Sequence, residues 1–349
     1  MKVAVLGTGS IGLATAALLA HNGHAVTAWS PTGGTTAALA GGTLMYTGVI
    51  SGQASVTGAA SARDALDAAD VAFICLPAFA HLPVLEAVAP HVRAGQTIVI
   101  MPVGALSPLL LARKVKVECT LIGLGTTVMT GRRGKGAEVK VAAIRHRLDL
   151  AALPARANAE ALALMQGLFG DRFDVQDNLL GIALSNVNPV AHVPLVLGNL
   201  SRVDKREQWP QYDLMTPSVG AIIEANDAER VAIAHAFGLR VPSIHDHFER
   251  SFGVKRGRFS DMAAAVYAQR GGPNGPVTLE DRYLLEDVPY GLAFYQTLGR
   301  IAGVATPTMD ACITLSEAAI GRPLVPDNRI AAAMGLDRMD RAALLAAVS

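Results

Sequence analysis

The chain has 349 residues, more than one ordinary domain holds and natural for two. Hydrophobic residues make up 51% and charged residues 17%, as a well-buried α/β core requires, and a net charge of +1 points to no nucleic-acid or membrane partner. Cys75, Cys119 and Cys312 share no paired spacing and no metal-ligand pattern, so no metal is expected; Cys75 and Cys119 read as buried structural thiols of a reducing cytoplasm.

Met1-Lys2 followed by an apolar run to Ala20 imitates a secretory leader. Glycines at 7, 9 and 12 are out of place in an uninterrupted leader helix, so a strand and a turn are the better reading. No other stretch is expected to cross a bilayer.

Val3 to Leu6 suits a central parallel strand, and Gly7-Thr8-Gly9-Ser10-Ile11-Gly12 follows at once. Leu13 to Ala20 reads as a helix ended by Gly23, and His24 to Trp29 as a second strand. Strand, glycine turn, helix and strand in thirty residues is the context of a dinucleotide fingerprint. Gly7 permits the tight turn, Gly9 the approach of a pyrophosphate, and Gly12 close helix–strand packing. The helix start at Ser10 and Ile11 then offers free N–H groups to the phosphates.

The end of the second strand chooses between NAD and NADP, because a carboxylate there binds the ribose 2′-hydroxyl and repels a 2′-phosphate. This chain has Ser30-Pro31-Thr32 and no acid. Ser30, Thr32 and Thr35 can donate to a phosphate, although no arginine stands nearby in sequence. A neutral pocket accepting either cofactor is one reading; the hydroxyls favour NADP over NAD.

Asp70 to Pro77 and Thr97 to Met101 are buried strands whose carboxyl ends, Pro77 included, line the expected cofactor crevice. His81 reads as a cap or surface group. Thr130 to Gly136 collects Arg132, Arg133 and Lys135 and reads as a solvated loop. Val117 to Leu124, Glu138 to Ile144 and a short run near Phe173 supply further strands, with a helix from Asn158 to Phe169. The dinucleotide-binding domain is assigned to residues 1–178 and a helical domain to 179–349.

In that second part the β-type runs vanish, with helix starts such as Thr216-Pro217-Ser218 and stops such as Gly238 and Gly253. Leu179 to Leu200 is apolar and helical, interrupted by Pro189 and Pro194, with His192 between them. Asn186, Asn188 and Asn199 accompany His192, and such polar groups in an apolar stretch need partners or a function. Thr278 with Asp281 resembles an N-cap box before Arg282 and Asp287. Five residues on a regular helix separate those two by roughly 140°, so they reach one pocket only from different sides of a ligand. Taken alone they read equally as an exposed ion pair.

In order, Asn186-x-Asn188-Pro189-x-x-His192, Thr216 to Gly220, Asp227-Ala228-Glu229-Arg230, and Arg282-Tyr283-x-x-Glu286-Asp287-Val288 resemble the opine dehydrogenase family. The similarity is nearest to the bacterial N-(1-carboxyethyl)amino-acid dehydrogenases and extends to Thr306-Pro307 and Asp310. It implies a Rossmann-type α/β first domain, an all-α second domain and an active site in the cleft between them. It also implies NAD(P)H-dependent condensation of an α-keto acid such as pyruvate with an amine or amino acid, through an imine, in a cytoplasmic homodimer. Position by position, it implies His192 as the proton shuttle, Asp287 as its carboxylate partner and Arg282 as the binder of a substrate carboxylate. Asn186 and Asn188 are candidate substrate contacts, and the region of Trp209 and Tyr212 is expected to line the amine side. The chain departs from the pattern at Val193, where the family has proline after the histidine, and at Ser30, where it has an acid.

Two other readings remain. A 2-hydroxy or β-hydroxy acid dehydrogenase shares the two-domain plan, but such families use a lysine near the start of the helical domain and none lies between Lys140 and Lys205. A non-catalytic dinucleotide sensor would have no need of His192, Arg282 and Asp287 together.

Overall fold

The computed structural model describes every residue except Ala68, and all side chains except those of Gly34 and Thr35. The Thr35 hydroxyl, a candidate phosphate donor, therefore lies outside the described residues. The chain forms two compact units, Met1–Ala183 with Ala346–Ser349, and Leu184–Leu345. The division falls five residues beyond the expected one. The helix Leu179–Leu184 begins in the first unit because the Leu179 side chain fills the space over Gly123, where a Cβ would sit 2.7 Å from it.

The first unit is built on one mixed sheet of 11 strands. They are β1 (Lys2–Leu6), β2 (Ala25–Trp29), β3 (Thr43–Gly48), β4 (Gly52–Gly58), β5 (Val71–Ile74), β6 (Thr97–Ile100), β7 (Thr120–Leu124), β8 (Met129–Arg133), β9 (Glu138–Ile144), β10 (Leu148–Leu153) and β11 (Phe173–Val175). Their order across the sheet is β11-β10-β7-β6-β5-β1-β2-β4-β3-β9-β8. The centre, β2-β1-β5-β6-β7, is wholly parallel, and its apolar runs are buried on both faces as helix-flanked parallel strands are. β10 runs antiparallel beside β7. Beyond β2 the sheet continues through the β3–β4 hairpin to β9 and β8, strands that the sequence pattern did not signal as a group.

The basic stretch Thr130 to Gly136 is solvent-exposed at its charges but is a loop only in its second part. Its first part is β8, which has a bulge between Thr130 and Gly131 and packs on the first helix, Ser10–His21. A Cβ on Gly131 would lie 2.7 Å from the Ala14 methyl and 2.8 Å from the Ser10 carbonyl oxygen, so glycine lets this strand close on that helix. The helix is correspondingly alanine-rich, with Ala14, Ala16 and Ala17 fully buried. Phe73 of β5 meets Phe169 edge-on at 5.6 Å, tying the helix Asn158–Phe169 to the core.

The second unit is helical; among its described residues the only β-type pairing is an isolated bridge between Pro210 and Asn274. Its longest helix, Pro217–Ala236, carries the buried pair Arg230 and Asp227, 2.6 Å apart. Arg230 also donates to the carbonyls of Leu184 and Pro242, and Asp227 accepts the Ile244 N–H at 2.7 Å. A buried charge survives where its hydrogen-bonding capacity is filled in this way.

Against expectation, Leu179–Leu197 has the length and hydropathy, 1.4, to cross a membrane. It is 83% buried inside the protein and broken at Ser185-Asn186-Val187, which makes it core sequence.

Candidate active site

In the first unit the glycine turn separates the three expected roles. Gly7 has φ +108°, and a Cβ there would meet the Cys75 carbonyl oxygen and Leu76 Cδ2 at 2.7 Å. A Cβ on Gly12 would lie 1.7 Å from the Gly7 carbonyl oxygen, so the helix seats on the turn only without a side chain. A Cβ on Gly9 meets nothing within 4 Å, leaving the open approach a pyrophosphate needs. The Thr8 hydroxyl beside it is buried without a hydrogen-bond partner. These residues fit a dinucleotide phosphate.

Ser10 is more committed than expected, since its hydroxyl accepts the Arg133 N–H of β8 at 3.1 Å. Ile11 packs against the core cluster. Pro77 caps the short 3₁₀ turn Ala78–Ala80 directly after β5. His81 is neither cap nor surface group. It is fully buried, its Nε2 bonds the Leu76 carbonyl at 2.9 Å, and burial holds its pKa down at about 4. The neutral ring thus braces the turn that leads from β5 to Pro77. Cys75 is buried and its thiol pushed up to about 12, whereas Cys119 is only half-buried.

At the end of β2, Ser30 and Thr32 hydroxyls lie 3.2 Å apart on the wall of an open groove of about 620 Å³. The lining also includes Ser61 and Arg63. An arginine does therefore stand at this site, brought by β4, which pairs with β2 and leads into the helix Ala62–Asp67. Sequence distance from Ser30 hid it. Its only ion pair among the described residues is an exposed one to Asp67 at 3.3 Å, and the groove's carboxylate, Glu86, is held by Lys114 at 3.0 Å.

The second unit brings together the other expected group. His192 lies on the helix Asn188–Leu197, and its Nδ1 is 2.8 Å from Asp287 Oδ2, both side chains being 11% exposed. Pro189 does not kink this helix: it occupies the first turn, where its missing N–H costs nothing. Asn186 Oδ1 accepts the Asn188 N–H at 3.1 Å and starts the helix; the Asn186 carbonyl accepts from the Tyr295 hydroxyl at 2.7 Å. Asn199 Nδ2 donates to the Leu195 carbonyl near the helix end. The amide cluster thus builds the local backbone, while the side chain of Asn188 and the NH₂ of Asn186 have no hydrogen-bond partner among the described residues.

Arg282 and Asp287 are not on a regular helix. Asp281, not Thr278, is the N-cap of the short helix Arg282–Leu285, accepting the Tyr283 N–H at 3.1 Å. A π-helical turn, Val288–Leu292, follows. Such a turn hydrogen-bonds residues five apart and frequently marks functional sites. Between Arg282 and Asp287 themselves the helix is already ending, and the Arg282 carbonyl accepts both the Glu286 N–H at 2.9 Å and the Asp287 N–H at 3.1 Å. A Cβ on Gly291 of this turn would lie 2.3 Å from Pro189 Cγ, so the two segments interlock one turn away from His192 and Asp287. Arg282 is exposed, its guanidinium paired with no carboxylate among the described residues and 5.8 Å from the Tyr283 ring centre.

Tyr283, which motif reading passed over, stacks on His192 with ring centres 3.8 Å apart. Two expected substrate contacts are placed otherwise. Trp209 is 1% exposed, donates its Nε1–H to the Pro276 carbonyl at 3.0 Å, and covers Gly275, where a Cβ would approach to 2.1 Å; it presents no face to a ligand. Tyr212 is half-buried among Phe248, Phe252 and Gly272. Among the described residues no cluster of metal-ligating side chains occurs.

Known proteins match the whole chain. Residues 175–320 match the family described as NAD/NADP octopine/nopaline dehydrogenase, alpha-helical domain, and residues 3–154 match ketopantoate reductase PanE/ApbA. The opine dehydrogenase of Arthrobacter sp. (strain 1C) is 32% identical over 99% of this chain and 98% of its own. An octopine dehydrogenase solved with NADH and agmatine superposes with a TM-score of 0.84 over 99% of this chain and 98% of its own, at 19% identity. A yersinopine dehydrogenase solved with NADP⁺ gives 0.75 over 97% and 98%, at 15% identity. The chain belongs to the opine dehydrogenase family, NAD(P)-dependent oxidoreductases that act on CH–NH groups and condense keto acids with amino acids.

Proposed function

We propose that this enzyme condenses an α-keto acid with the amino group of an amino acid or similar amine and reduces the resulting imine to a secondary amine. The observation that carries the proposal is the His192–Asp287 pair with an arginine, Arg282, five residues from that carboxylate and in no ion pair among the described residues. A carboxylate accepts, so in this reading Nδ1 of His192 carries the proton of that bond and Nε2 is left for exchange with substrate.

The roles follow from these atoms. Arg282 holds a substrate carboxylate through its forked donors, which sets the neighbouring carbon in place. Attack of the amine on the keto carbon and loss of water give the imine; His192 supplies the proton that the departing oxygen needs and recovers one from the amine nitrogen. Asp287 keeps the ring oriented and stabilises it when protonated. Gly7, Gly9, Gly12 and the start of the first helix would hold the cofactor phosphates, and the bound nicotinamide supplies the hydride. The balance is keto acid, amine, NAD(P)H and a proton giving secondary amine, NAD(P)⁺ and water.

The adenine-ribose end favours NADP. Ser30 and Thr32 offer donors and Arg63 a cation to a 2′-phosphate, with no carboxylate at the end of β2 to bind a bare 2′-hydroxyl. The overall reaction is tested by following NADPH and NADH oxidation with pyruvate alone, amino acid alone, and both. Oxidation that requires both is expected; an equal rate with keto acid alone would replace this reading by a hydroxy-acid dehydrogenase.

A further inference from the structure

The stack of Tyr283 on His192 has an unusual geometry, with planes 1° apart and centres 3.8 Å apart. Neutral aromatic pairs prefer offset or edge-on arrangements to a direct face-to-face sandwich. Bonds around both rings hold this one in place. The Tyr283 hydroxyl donates to Gln211 Oε1 at 2.6 Å, and Gln211, 5% exposed, is anchored by its own N–H to the Pro273 carbonyl at 3.2 Å. The Tyr283 N–H is held by Asp281 at 3.1 Å, and His192 by Asp287 at 2.8 Å. Burial pushes the phenol up to about 12, so it remains a neutral donor.

A hydrogen bond at Nδ1, with the tether at Cγ, still leaves the imidazole plane some room to tilt. A flat ring against its face removes that freedom. The unfavourable feature of a neutral sandwich also reverses when the imidazole is charged, because the phenol face attracts a cation. The Tyr283 proton is committed to Gln211, so the phenol has a geometric part in the site and no place in proton transfer.

We propose that Tyr283 is a positioning residue whose flat ring fixes the plane of His192 so that Nε2 alone is presented to the reacting groups. The inference rests on the proposed proton-transfer role of His192.

The test compares wild type with Tyr283→Phe, Tyr283→Leu and Tyr283→Met in the full-length enzyme, with folding checked by circular dichroism. The first readout is the pair of His192 ring-proton signals, assigned by their loss in His192→Ala. The stacked ring shields them, so they should move downfield in the Leu and Met variants and stay in place in Tyr283→Phe. The second is steady-state kinetics: kcat should fall about tenfold to a hundredfold in the Leu and Met variants with KM nearly unchanged, and recover in Tyr283→Phe. If the Leu variant does not fold, the unbranched Met variant decides. Unmoved His192 signals, an unchanged kcat, or a loss confined to KM would each overturn the proposal. Wild-type oxidation that does not require both substrates would instead overturn the functional reading, while the ring-proton signals still judge the stack.

Discussion

The Asp287 N–H donates to the carbonyl of Arg282, five residues back, at 3.1 Å. The bond is of π-helix type and sets the residue proposed to grip substrate and the residue that orients His192 one wide turn apart. Their substitutions should therefore separate kinetically. Asp287→Asn and His192→Ala are expected to lower kcat by about 10²–10⁴-fold, with cofactor binding, followed by fluorescence titration, intact. Arg282→Ala should act chiefly on KM for the carboxylate substrate. Near-normal turnover in His192→Ala, or an unchanged KM in Arg282→Ala, would remove the residue from its assigned role.

Gly291, in the π turn that follows Asp287, meets the His192 helix. Adding a methyl group there forces Pro189 aside, since the new Cβ would lie 2.3 Å from Pro189 Cγ. Gly291→Ala should cost about 1–3 kcal/mol of stability, as overpacking does. It should also reduce kcat, because His192 lies on the helix that Pro189 begins. Thermal unfolding and steady-state rates measured together check this; a variant as stable and active as wild type would show that the interlock is not needed.

Cofactor choice can be read without turnover. Arg63→Ala should weaken binding of adenosine 2′,5′-bisphosphate roughly tenfold to a hundredfold, the worth of one charge-assisted hydrogen bond, and leave 5′-AMP unaffected in calorimetry. Ser30→Asp should shift preference toward NADH. Equal losses for both nucleotides in Arg63→Ala would place Arg63 elsewhere than at a 2′-phosphate.

His81 predicts a pH dependence of stability. Its pKa is about 4 in the folded protein against 6.5 when free, so below pH 6.5 the unfolded chain takes up a proton that the folded one refuses. Stability from this group is complete above pH 6.5 and falls with decreasing pH until about pH 4, a loss of about 2 kcal/mol between pH 7 and 5. Urea unfolding of wild type and His81→Leu over that range tests it: the variant should be less stable at pH 7 but lose less on acidification. Parallel slopes would mean that His81 is protonated in the fold.

Much of this was legible along the chain. The seating of Gly12 on the Gly7 carbonyl depends on neighbours within a few residues and so follows from local order, whereas Gly7 is also confined by Cys75 and Leu76 of a distant strand end. His192 was legible from its amide-rich surroundings, because polar groups in an apolar helix must be used. Trp209 was misread since an aromatic residue looks the same in sequence whether it lines a site or covers Gly275.

The sequence by itself determined the family and the two-part plan, and it pointed to the residues proposed for the chemistry, since these rest on short motifs and local periodicity. The tertiary structure alone decided how they meet. Residues 95 apart form the His192–Asp287 bond, Gly291 closes on Pro189, and β4 carries Arg63 to the groove of Ser30. Each depends on packing between segments distant in the chain, which no local pattern encodes.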